Sequence, residues 1–299
     1  MQGSDSVLTP VSTRCVEAGV LHSMCFHSGR AERCSFALAV EHMKKVRLKS
    51  QQTGSSCDFV WLHVEWDQAG MVELLVDMGI SEAAVGALTA SSTRPRYVSF
   101  ADGEIVVVRG INRQVPEQPD DMISLRFYFN EGLVVSAIRG VRRLESIGDV
   151  LRQLDAGYEL AHPAELIVLL VAQMTQKIRQ FVETLDEVVA RIEEDEQGVM
   201  LGLRDYCDDL TLVRRRSAAV KRYLLPQRAA LELLHTSSLQ LTPGIRERLH
   251  ELANLTELNA EDLELCRERA IVMQEDFRNE AMVIIAVAAM VLMRRHKWL

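Results

Sequence analysis

Hydrophobic and polar positions follow two rhythms along the chain, and the change between them falls near residue 157. In the first part, short apolar runs rich in β-branched and aromatic residues alternate with turn signals. "GVLHSMCF" (19–26) and "FVWLHVEW" (59–66) read as strands, separated by a polar, basic stretch over 28–57 that ends in the loop-like "SQQTGSSCD". Two short helices are predicted around 68–78 and 82–89, with Ser81 as N-cap of the second. Asp102-Gly103 then sits between two alternating segments, a hairpin signal that calls for a type I′ turn with glycine at positive φ. A second hairpin is predicted from "MISLRFYF" (122–129), the turn Asn130-Glu131-Gly132 and "LVVSAIR" (133–139). These elements make a mainly antiparallel sheet with a few helices.

The second rhythm is helical. Leu166, Leu169, Leu170, Met174, Ile178, Phe181, Leu185, Val189 and Ile192 follow three- and four-residue spacing between Pro163 and Glu196, with no Gly or Pro to interrupt it. Such a helix would reach roughly 50 Å. A second helix is predicted over about 200–236, kinked or broken at Pro226. A third starts after Pro243-Gly244 and runs without a breaker into an apolar C-terminal stretch. The expected fold class is therefore α+β. An N-terminal α/β domain (1–157) leads into a stalk of long helices (158–280), then a short apolar helix with a basic tail (281–299).

Charge narrows the function. Across 299 residues the net charge is −8, which argues against a nucleic-acid partner, since phosphates reward clustered Lys and Arg. An acidic protein suits cations better. Met1–Pro10 shows no apolar leader run, and six scattered cysteines contain no CxxC pair, so a reducing cytoplasmic compartment is expected. Cys15, His22, Cys25, His27 and Cys34 offer metal-binding donors, but their spacing fits no established zinc pattern and strand or loop roles are expected. His162, His235 and His250 fall near helix ends or faces, and no two histidines stand four apart on a helix. Arg94 and Arg96 flank Pro95 before the hairpin, where pairing with nearby acids is expected. Met282, Met290 and Met293 read as packing residues.

No glycine-rich phosphate loop, G-x-S-x-G or H-E-x-x-H is present, and no catalytic or cofactor-binding residue is assigned. The one repeating chemical feature lies on the last helix. Glu247, Glu251, Asn254, Glu261, Glu264, Glu268 and Glu275 recur at spacings of three, four or seven, placing them on one face. A solvated face relieved by Arg246, Arg248, Arg267 and Arg269 is one reading. In a ring of identical helices the same stripe would concentrate cations, so Glu247, Glu251, Glu261, Glu264 and Glu268 are candidate ion-path residues.

Several strings together resemble a known family. "VWLHVEW" (60–66), "TRPRYVSFADGEIVVVRGIN" (93–112), "DDMISLRFYF" (120–129), "VVSAIRGVRRL" (134–144), "KRYLLPQR" (221–228) and the terminal "RRHKWL" resemble the zinc-transporter (ZntB) branch of the CorA superfamily of divalent-cation transporters. The resemblance implies a cytoplasmic α/β domain, long helices leading to a pore-lining span, a Gly-x-Asn loop and a returning span, with five subunits forming a funnel. It implies no enzyme activity and no cofactor, with Zn²⁺ as the transported ion. Gly110-Ile111-Asn112 matches the tripeptide only by chance, at the end of a predicted strand.

The chain departs from that plan after "QEDFRNE", where 19 residues stand in place of two spans of about 20 residues each. The uncharged run Ala281–Met293 covers about 20 Å as a helix, against a hydrocarbon core of about 30 Å. Arg294, Arg295 and Lys297 favour the cytoplasmic side, as does the N-terminal domain, and one span cannot serve both. The expectation is a transporter subunit with its membrane region truncated or internally deleted. It would sit at the inner membrane through its C-terminal segment, or in the cytoplasm should that segment fail to insert. The alternative is a non-transporting assembly or ion-sensing domain derived from the family.

Overall fold

A computed structural model describes residues 20–43, 58–91, 94–112, 122–140, 143–195, 199–237 and 241–295. Seven strands are present among them: β1 (Val20–His27), β2 (Arg30–Arg33), β3 (Phe59–Glu65), β4 (Arg96–Ser99), β5 (Glu104–Gly110), β6 (Ile123–Phe129) and β7 (Leu133–Ile138). The helices are α1 (36–43), α2 (Met71–Asp77), α3 (Glu82–Thr89), α4 (Glu145–Asp155), α5 (Pro163–Glu194), α6 (Val199–His235) and α7 (Pro243–Arg295). The strands form one sheet in the order β2-β1-β3-β7-β6-β5-β4. All its pairings are antiparallel except β3 with β7, which run parallel. The mainly antiparallel α+β expectation therefore holds, with a mixed sheet at its centre.

Every residue of β3 and β7 is buried, because helices cover both faces of the sheet and erase the usual in–out alternation. One face carries Val60, Leu62, Val64, Val107 and Val135, packed with Leu75 of α2 and Leu88 of α3. The other carries Phe59, Trp61, Phe127 and Val134, packed with Leu151 of α4, Leu170 of α5, Leu231 of α6 and Leu249 of α7. Some polar atoms between these layers are paired within the sheet. Trp61 Nε1 donates to Ser136 Oγ at 2.8 Å, and His63 Nδ1 lies 2.8 Å from the same oxygen.

The predicted turns survive with one change of mechanism. Gly103 is not at positive φ; an added Cβ would stand 2.6 Å from the Tyr128 ring, so glycine is required for close approach rather than for a type I′ turn. Asp102 beside it accepts from the Ser81 amide and hydroxyl, both at 2.8 Å, while Ser81 Oγ caps α3 by accepting from Ala84 N–H. Asn130 Oδ1 accepts from Gly132 and Leu133 N–H at 3.1 Å, closing the second hairpin. Arg96 meets the Ala87 carbonyl at 3.4 Å and pairs with no acid among the described residues. Buried Arg126 donates to the Leu88 carbonyl at 2.6 Å and lies 4.6 Å over the Trp66 ring. Both arginines thus reach the negative C-terminal end of α3.

The long helices begin with recognisable caps. Pro163 opens α5, His162 Nδ1 accepts from Ala164 N–H at 3.0 Å, and Glu165 reaches back to Ala161 N–H at 2.7 Å. Pro243 opens α7, with Thr242 Oγ1 accepting from Ile245 N–H. Helix α6 is helical across Pro226, so the expected break is absent. Two compact units emerge, residues 1–178 with 223–257, and 179–222 with 258–299. The first unit takes in parts of the long helices, because the first half of α5, the end of α6 and the start of α7 share the sheet's core.

Candidate functional site: the outward face of the last helix

Helix α7 carries two stripes, each on a seven-residue repeat. The buried one runs through Ile245, Leu249, Leu252, Thr256, Asn259, Leu263, Cys266, Ala270 and Phe277. The exposed one runs through Glu247, Glu251, Asn254, Leu258, Glu261, Leu265, Glu268, Val272, Glu275 and Asn279. Steps of four and three residues keep both stripes aligned along the helix, as a heptad pattern does. Carboxylates and apolar side chains alternate on the outward stripe, with Leu258, Leu265 and Val272 about half exposed.

The predicted ion-path acids separate into two groups. Glu247, Glu251, Glu261 and Glu268 point outward; Glu251 pairs with Arg248 at 3.0 Å. Glu247, Glu261 and Glu275 have no hydrogen-bonding or ion-pair partner among the described residues. Glu264 stands apart on the flank. It accepts from Arg267 and from Lys221 Nζ at 2.9 Å, and these bonds hold its carboxyl down to about 2. Glu264 is therefore an intrachain ion-pair residue. Of the arginines expected to relieve the acids, Arg248 pairs with Glu251 of the stripe and Arg267 with flanking Glu264, whereas Arg246 binds the His235 carbonyl and Arg269 pairs with Asp186 and Glu193.

Beyond Phe277 the helix changes character. Met282, Ile285, Val287, Met290 and Val291 are all strongly exposed, so the methionines do not pack within the chain as expected. Among the described residues no helix is long and apolar enough to cross a membrane.

The cysteine and histidine donors near the N-terminus do not converge. Cys15 lies outside the described residues. Cys25 Sγ stands 2.8 Å from Cys34 Sγ, His27 packs against His42 with ring centroids 4.2 Å apart, and His22 stacks on His63 at 5.9 Å. No group of three potential metal ligands is formed among the described residues. Sequence reasoning missed one concavity, a cavity of about 650 Å³ beside β1, β3 and the start of α4. Its acids Glu145 and Asp149 are held by Lys177 Nζ at 3.5 and 3.3 Å. Its buried His63 is pushed down to about 3 by burial, then by His22.

The chain matches the CorA-like Mg²⁺ transporter protein family over residues 56–293. It is 33% identical over 226 residues to the divalent cation transporter CmaX of Pseudomonas aeruginosa, and 26% identical over 218 residues to the zinc transport protein ZntB of Klebsiella pneumoniae. Each match covers 72% of this chain and 65% of the relative, so the chain spans just under two thirds of the length of these curated relatives. The structure of full-length CmaX is similar with a TM-score of 0.78 and 25% identity, covering 92% of this chain and 82% of that one. The cytoplasmic domain of ZntB from Vibrio parahaemolyticus shares the fold at TM-score 0.71 and 18% identity, covering 88% and 98%. The family and the named relatives are transporters rather than enzymes. Matched over most of its length, the chain belongs to the CorA-like Mg²⁺ transporter family.

Proposed function

We propose that this chain is a subunit of a homo-oligomeric divalent-cation transporter, with the outward stripe of α7 lining the approach to the ion path. The observation that carries this is the outward row Glu247, Glu251, Glu261 and Glu268, continued by Glu275 and interleaved with Leu258, Leu265 and Val272. In a parallel ring of such helices, the apolar positions supply contacts between copies and the carboxylates sum into a negative field that raises local cation concentration. An isolated chain gains nothing from this alternation, because the leucines and valine stay wet and the acids repel one another along the helix.

Zn²⁺ is the ion we name, on the motif resemblance and on the zinc-transport names of several relatives; a pentamer is the assembly we name, on the resemblance. The exposed run 281–293 is the membrane-contacting part in this reading. An assembly or ion-sensing module that does not transport is the second reading, favoured by the completeness of the outward stripe as an assembly surface in its own right.

The test separates membrane and soluble fractions of cells expressing the chain, measures the mass of the purified assembly, and follows Zn²⁺ flux after reconstitution. Membrane-retained oligomers with saturable Zn²⁺ flux are expected. Replacing Glu261, Glu268 and Glu275 together with Gln should then lower flux at limiting Zn²⁺ while leaving the oligomer intact. A soluble oligomer without flux selects the second reading, and a monomer overturns both.

A further inference from the structure

Cys25 and Cys34 are brought together by the edge of the sheet. In the β1–β2 ladder Met24 faces Arg33 and Cys25 faces Glu32, which puts Cys34 opposite Ser23 and on the same side of the pair as Cys25. Two hydrogen bonds fix that end: Cys34 N–H donates to the Ser23 carbonyl at 3.2 Å, and Ser23 Oγ donates to the Cys34 carbonyl at 2.5 Å. The two sulfurs stand 2.8 Å apart. A disulfide needs about 2.05 Å, so the two sulfurs lie less than 1 Å beyond bonding distance.

The two thiols differ in access. Cys25 is only 3% exposed, whereas Cys34 is partly exposed and lines an open cavity of about 410 Å³ with His22, Arg33, Ser35 and Phe36. We propose that Cys25 and Cys34 form a thiol–disulfide modification site that closes by exchange with a low-molecular-weight disulfide. Cys34, as thiolate, attacks one sulfur of the reagent RSSR, forming a mixed disulfide and releasing RS⁻. Cys25 then gives up its proton and attacks the Cys34 sulfur, expelling the second RS⁻. The two protein thiols are oxidised, RSSR is reduced, and with the protons counted two RSH leave. Burial, then the contact with Cys34, pushes the Cys25 thiol up to about 12, so Cys25 is not the thiol that attacks first.

Closure would staple the end of β2, and with it the start of α1, to β1. Helix α1 holds this edge through Ala39 and Met43 in the core and through His42 against His27. The bond would therefore rigidify the sheet edge under oxidising conditions and release it under reducing ones.

The experiment takes the full chain, reduced and freed of reductant, and exposes it to glutathione disulfide before alkylation and peptide mapping. The expected result is a Cys25–Cys34 linked peptide, loss of alkylation at both, release of two glutathione per chain, and a raised Tm reversed by reductant. Cys25→Ser should instead retain one glutathione on Cys34, and Cys34→Ser should leave Cys25 unreacted. The wild-type map decides the matter whether or not the variants fold. Both thiols remaining alkylatable, glutathione persisting on wild-type Cys34, or Cys25 linked to another cysteine would each overturn the proposal.

Discussion

The central strands and the outward face of α7 both carry apolar residues at regular spacing, and the fold treats them oppositely. In β3, β5, β6 and β7 nearly every side chain is buried within the chain, polar ones included. On α7 the leucines and valine of one stripe stay exposed while those of the other are covered. The strands meet partners inside one molecule, so their packing is a matter of stability. Apart from Glu251, which pairs with Arg248, the acids of the outward stripe lack ion-pair partners among the described residues, and its regularity becomes meaningful only against other copies of the helix. Apolar periodicity therefore marks a surface that is to be covered, without saying by which molecule.

The sharpest test of this contrast pairs Phe127→Ala with Leu265→Ala. Loss of the fully buried ring should cost about 3–5 kcal/mol of unfolding free energy in urea titrations, whereas Leu265→Ala should change subunit stability by no more than about 0.5 kcal/mol and weaken assembly instead. Equal costs would mean that the stripe packs within its own chain.

Next in size is an acid effect confined to the sheet. His63 is neutral when folded, with a pKa of about 3 against 6.5 when unfolded. Its contribution is fully present above pH 6.5 and is lost as pH falls toward 3, amounting to roughly 3 kcal/mol between pH 7 and pH 4. His63→Gln should flatten that part of the stability–pH curve, and an unchanged slope would remove His63 as its source.

Glycines give a smaller reading of the same difference between filled and open surroundings. Gly103→Ala should destabilise by about 1–3 kcal/mol, because the new methyl meets Tyr128. Gly86→Ala, at an exposed position of α3 with nothing within 4 Å, should stabilise by about 0.5–1 kcal/mol. Thermal melts of the two variants should move in opposite directions.

The smallest effect compares acids on α7. Glu264→Gln loses ion pairs to Lys221 and Arg267 that are partly solvated, so at most about 1 kcal/mol is expected. Glu261→Gln should leave subunit stability unchanged. A larger cost at Glu261 would place a partner where none is found among the described residues.

Most elements were legible because local patterns and tertiary packing agree. Ser81 as a cap, the turn at Asn130 and the apolar spacing of α5 each have a short-range cause. Strand β2, Arg-Ala-Glu-Arg, was unreadable, since an exposed edge strand has no buried face to impose alternation. Helix α4 carries its own local signal, Ile147, Val150, Leu151 and Leu154 at helical spacing. The acid stripe was legible as a face, but Leu265 rather than Glu264 continues its four-and-three rhythm after Glu261, which leaves Glu264 about 100° round the helix on the flank with Lys221.

By itself the sequence determined the two rhythms, the caps and turns that bound their elements, the family motifs and the repeat of acids on the last helix. Each rests on residues within a turn or two of one another. Tertiary structure alone decided that β3 pairs in parallel with β7, that glycine at 103 serves the Tyr128 ring, that Arg126 reaches the end of α3, and which acids on α7 face outward. Those outcomes depend on residues far apart in the chain, and a side chain's partner across the core is not written in its neighbours.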